Sequence, residues 1–126
     1  MKNPVVVNGV TYNSWFKHRH HGQRKFGYNE INEFICNSII DAYEFNVDIA
    51  IAMKLPIQKE NYRFSNPENL PIGVTICSLE DSNRNVVSIG YAFCSQLDQF
   101  NKKTGRNKSL GKAVQRLLRK KEIVND

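Results

Sequence analysis

Hydrophobic and polar positions alternate at two different periods along this chain. Two short β-prone runs, PVVV and VTYNSW, flank Asn8-Gly9. Asn-Gly is the preferred pair for a two-residue type I′ hairpin, because both central residues take positive φ. Strands are therefore predicted near residues 4–7 and 10–15. The next stretch, FKHRHHGQRKFGY, is polar and basic, carries two glycines, and reads as an exposed loop. The period then changes. Ile31, Phe34, Ile35, Ile39, Ala42 and Tyr43 recur at helical spacing, with Glu30, Glu33, Asn37, Asp41 and Glu44 off that face. This predicts an amphipathic helix over 29–45.

VDIAIAMKL alternates strictly, which predicts a half-buried strand over 47–55. PIQKENYRFSNPENLP holds three prolines and reads as a long loop, a type often functional. GVTICSLE and VVSIGYAF predict a hairpin around Glu-Asp-Ser-Asn-Arg-Asn. At the end of the chain a short helix is predicted near 96–103, with Ser95 as N-cap and Asp98 in its first turn. Thr104-Gly105 is expected to break it, and a second helix to run from about 107 to 122. The fold expected is α+β: an antiparallel sheet with one central helix and two C-terminal helices, in a single domain over 1–126.

Charge adds what periodicity does not show. The net charge of +6 is segregated: residues 1–25 carry +5, residues 26–101 carry −6, and residues 102–126 carry +7. Lys102 to Lys121 contains nine cations and no acid. Clustered charge of this kind sets a local potential that concentrates anions. On a helical projection Leu110, Ala113, Val114, Leu117 and Leu118 fall on one face, and Lys108, Lys112, Arg116 and Arg119 on the other. Lys108, Lys112 and Arg116 stack at i, i+4, i+8, where like charges repel by a few tenths of a kcal/mol per pair. The fold gains nothing from that row, so an anionic partner is expected; a solvated helix that aids solubility would look the same. A break at Gly105 would free the N–H groups of Arg106 to Lys108 as an anion site. Gly111, inside the helix, suggests close approach of another backbone, a ligand or a second subunit. Tyr91, Phe93 and Phe100 are nearby aromatics that would serve either for base stacking or as core.

Catalytic signatures are missing from the sequence. It has no Walker loop, GxGxxG, GxSxG or HExxH, and no carboxylate pair spaced for acid–base work. Cys36, Cys77 and Cys94 are odd in number and widely spaced, and read as small buried hydrophobes. His18, His20 and His21 lack a cysteine or carboxylate nearby to complete a metal site, and read as part of the basic loop. A binding protein is expected rather than an enzyme, with no cofactor and no metal. No apolar run reaches the length of a membrane span and no signal peptide is visible, so no membrane partner and a cytoplasmic location are expected.

The segment VSIGYAFCSQLDQFNKKTGRNKSLGKAVQRLL resembles the C-terminal part of small phage-encoded proteins. The matching positions are Asp98, Phe100, Lys102, Lys103, Gly105, Arg106, Leu110, Ala113 and Leu117. Among such proteins it is similar to the phage anti-Thoeris signal sponges. The resemblance covers about a third of the chain. It implies an anti-defence protein of the infected bacterial host's cytoplasm, a homo-oligomer (dimer or hexamer) that sequesters a cyclic ADP-ribose isomer, or a cyclic oligonucleotide, without cleaving it. Such pockets use an aromatic stack, an asparagine and arginines. Together with the residue-level reading this gives Tyr91, Phe93, Phe100, Asn101, Lys102, Arg106, Lys112 and Arg116 as candidate ligand contacts. Two alternatives remain open on the residues alone: a basic nucleic-acid-binding protein, and an inhibitor docking on an acidic host protein.

Overall fold

The computed structural model describes residues 3–23, 25–45, 57–58, 63–64, 71–94 and 99–124. Strands β1 (Asn3–Val7) and β2 (Val10–His20) precede helix α1 (Tyr28–Phe45). Two-residue strands β3 (Ile57–Gln58) and β4 (Arg63–Phe64) pair antiparallel with each other. Strands β5 (Gly73–Glu80) and β6 (Val86–Cys94) lead to helix α2 (Lys102–Val124). Among the described residues the main sheet is antiparallel, in the order β1-β2-β5-β6. The expected strand over 47–55, Ser95 and Asp98 lie outside the described residues.

The chain divides into two compact units. One comprises Met1–Lys17, Thr75–Ala92 and Lys102–Asp126, the other His18–Val74 and Phe93–Asn101. In the first, Asn8 and Gly9 have φ of 50° and 81°, as the type I′ turn requires. The turn sets a register of Val7 opposite Val10 and Val5 opposite Tyr12. Val7, Tyr12, Cys77 and Leu79 form a core with Ala113 and Leu117 of α2, flanked by Val5, Phe16, Val87, Leu110, Val114 and Leu118. Full burial of a side chain such as Leu79 stabilises by about 1.5–3 kcal/mol.

In the second unit α1 fulfils the helical pattern. Ile31, Ile35, Cys36, Ile39 and Ala42 are buried. Its first turn is closed by Ile31 N–H donating to Gly27 O at 3.1 Å.

The helix arrangement differs from the expectation of one central and two C-terminal helices. Residues 99–101 are not helical, and a single helix runs from Lys102 straight through Thr104-Gly105. Gly105 is a packing glycine: a Cβ there would run into the Thr75 side chain. The free N–H groups expected at Arg106 to Lys108 are consequently inside the helix. Asn101 takes the N-cap position, for which asparagine is well suited. The basic loop is also shorter than expected. Strand β2 continues through FKHRH to His20 because Phe16 packs on the core and His20 stacks on Phe100.

Candidate functional site

Helix α2 lies on the sheet along a stripe of small residues. Gly105, Ser109 and Ala113 recur every four residues, and the last two are buried. The stripe permits backbone-to-backbone approach at Gly90 of β6, where a Cβ would collide with Ser109 O and Ala113 N. Ser88 fixes the same crossing by donating its Oγ–H to Ala113 O at 2.7 Å. Gly111, by contrast, is exposed and has nothing within 4 Å of where a Cβ would be, so the close approach expected there occurs at Gly90 and Gly105 instead.

This seating orients the cations. The centre of the buried face is Ser109 and Ala113 rather than Leu110 and Val114, so the row Lys108–Lys112–Arg116 runs along its flank. Lys108 and Arg119 are exposed, while Lys112 and Arg116 are half-buried. Arg116 Nη1 donates to Ile89 O at 3.3 Å, which anchors one end of the row on β6. Successive members of the row are about 6 Å apart along the axis, from the helical rise. Arg106 is exposed but lies about 200° around the helix from Lys108 and does not share the row. Lys102 is exposed at the start of α2.

Of the aromatic candidates, Tyr91 alone belongs to the unit that holds these cations. Tyr91 follows Gly90 on β6; Gly90 faces α2, so Tyr91 points to the other side of the sheet, where it is 7% exposed. Phe93, half-buried, and Asn101, exposed, belong to the second unit, as does Phe100. The Phe100 ring is already stacked on His20, with ring centroids 4.3 Å apart and planes at 19°, and His18 meets it edge-on at 5.9 Å. A Cβ on Gly73 would lie 2.7 Å from Phe100 Cδ2. Phe100 thus serves packing within its unit, and His20 occupies one face of its ring.

No protein-family model matches the chain, nor does any curated protein or solved structure.

The histidines are structural in the same way. His20 Nδ1 accepts from Gly22 N–H at 3.1 Å, and His20 N–H donates to Gln23 Oε1 at 3.1 Å. His21 Nε2 pairs with Asn32 Oδ1 at 2.9 Å. Arg19 places its guanidinium over Phe26 at 4.5 Å and Phe34 at 5.5 Å, which clamps the segment after β2 to α1. Among the described residues no cluster of three metal-ligating side chains occurs, and no helix is long and apolar enough to cross a membrane. Burial pushes the Cys36 thiol up to about 11 and the Cys77 thiol up to about 12, which keeps both protonated and unreactive near neutrality.

Proposed function

We propose that this protein is a non-catalytic binder of a phosphate-bearing nucleotide signal, an anti-defence sponge of the type its C-terminal segment resembles. The observation that carries the reading is the acid-free cationic row of α2, held in a fixed register by the close packing at Gly90 and Gly105. A preformed helix pays no backbone ordering cost when it meets an anion, only that of its side chains, and Lys108, Lys112 and Arg119 supply charge-assisted hydrogen bonds to phosphate oxygens. A bound polyanion would also offset the repulsion within the row. Nothing in the row withdraws protons or attacks a bond, so the ligand is held rather than cleaved. In this reading the ligand is a cyclic ADP-ribose isomer or a cyclic oligonucleotide, and the binding form is a homo-oligomer.

Native mass spectrometry with these nucleotides, supported by calorimetry, tests the proposal. Discrete ligand masses that are released intact on denaturation support it. Lys108→Ala/Lys112→Ala should lose about tenfold or more in affinity while remaining folded. A protein that takes up none of the nucleotides refutes it.

The exposure of Lys108 and Arg119 favours a second reading, binding to the nucleic-acid backbone. Salt separates the two. Duplex binding through several phosphates falls by orders of magnitude between 50 and 200 mM salt on general grounds, whereas a small dinucleotide site loses far less.

A further inference from the structure

Of the two glycines in α2, the fold itself uses Gly105 and not Gly111. Gly105 makes room for the Thr75 side chain, whereas a Cβ on Gly111 would have nothing within 4 Å. Backbone conformation does not call for a glycine there either, because Gly9 alone among the glycines has a positive φ. Yet Gly111 lies in the interior of a 23-residue helix, where glycine lowers stability relative to alanine. Neither packing nor geometry within the chain offsets that loss.

The position of Gly111 on the helix is specific. Two residues turn an α-helix by about 200°, so Gly111 stands opposite the Ser109–Ala113 contact that seats α2 on Gly90. It therefore occupies the outermost line of α2 and is exposed, as are Asn107, Lys108, Gln115 and Arg119 around it. Lys108 and Gln115, at i−3 and i+4, border it on one side, and Lys112 and Arg119 continue that side. Asn107, at i−4, borders the other. The missing Cβ leaves a notch in the helix surface directly beside the cations.

We propose that this notch seats the body of the nucleotide. Its ribose or base lies against the bare backbone at Gly111 while its phosphates reach Lys108, Lys112 and Arg119. The inference rests on the nucleotide reading above and adds to it where on α2 the ligand sits. A Cβ at this position would hold the ligand off the helix and away from the side chains that meet its charge. Charge complementarity selects the occupant. Lys102 to Lys121 holds nine cations and no acid, so a second α2 crossing at the notch would set like charges against like, whereas an anion is attracted by all of them.

The experiment combines calorimetry and urea unfolding on the same variants, with cyclic ADP-ribose and a cyclic dinucleotide as the probes. Gly111→Ala should unfold at a higher urea concentration than the wild type and still bind about tenfold or more weakly. Gly111→Leu, with a longer side chain and a helix propensity close to that of alanine, should bind more weakly again. A gain in stability together with a loss of affinity is what a contact position gives; a purely structural glycine would lose both together. Wild-type affinity in Gly111→Ala, with Lys108→Ala/Lys112→Ala weakened, overturns this inference and leaves the nucleotide reading standing. Uptake of neither probe by the wild type overturns both. A Gly111→Ala variant that keeps its affinity but changes its native mass makes the notch a contact between copies of the chain, which also overturns the proposal.

Discussion

Gly90 and Gly111 differ by a single physical fact, the space beyond Cα. At Gly90 the missing Cβ is what lets the backbone of α2 touch the sheet. Gly90→Ala has no flexible atom to displace, only Ser109 O and Ala113 N. The helix must move outward, and a loss on the order of 3 kcal/mol is expected, read as a lower urea midpoint with an unchanged slope. At Gly111 the surroundings are open, so alanine brings only its better helix propensity. Gly111→Ala should raise stability by about 0.5–1 kcal/mol in the same assay. Phe100 obeys similar logic with a larger group: its ring stacks on His20 and lies where a Cβ on Gly73 would be, so Gly73 leaves it the space.

At the scale of elements, α2 is positioned by contacts distant in sequence. Ser88 reaches Ala113, 25 residues on, and Arg116 reaches back to Ile89. Ser88→Ala should cost about 1 kcal/mol, measured by chemical unfolding, because a buried hydrogen bond disappears without leaving a charge behind. Those distances explain which parts were legible in the sequence. The Asn8-Gly9 hairpin, α1, and the β5–β6 hairpin rest on local periodicity and turn chemistry, and each is found where the pattern places it. The helix break at Thr104-Gly105 was wrong because a local reading weighs glycine's intrinsic cost and cannot see Thr75, the neighbour that requires a glycine there. The same blindness shortened β2, whose last residue is held by a ring 80 positions away in the sequence. For the candidate site, the cationic row was readable from spacing alone. The aromatic half was not, because whether Tyr91 or Phe100 is available depends on which face is buried.

For the whole molecule, the two buried thiols tie stability to pH. Cys36 and Cys77 ionise near 11 and 12 in the folded chain, against an ordinary value of 9.0. Above pH 9 the unfolded chain gives up these protons while the folded one keeps them, so stability falls as pH rises. The expected slope approaches about 1.4 kcal/mol per thiol per pH unit between 9 and 11. Urea unfolding at pH 8, 9 and 10 checks it, and replacing Cys77 with Ala should flatten the curve after correction for the lost packing. The sheet order carries a kinetic consequence. Neighbours β1–β2 and β5–β6 are joined by tight turns and can pair within microseconds, but β2 and β5 are separated by more than fifty residues of chain. That pairing carries the largest loop-closure entropy and is therefore the late step of folding. Contacts within either hairpin are then already formed in the transition state, so mutations there should slow refolding, whereas mutations at the β2–β5 seam should mainly speed unfolding. Until that seam closes, a newly made chain is exposed to misassembly with its neighbours.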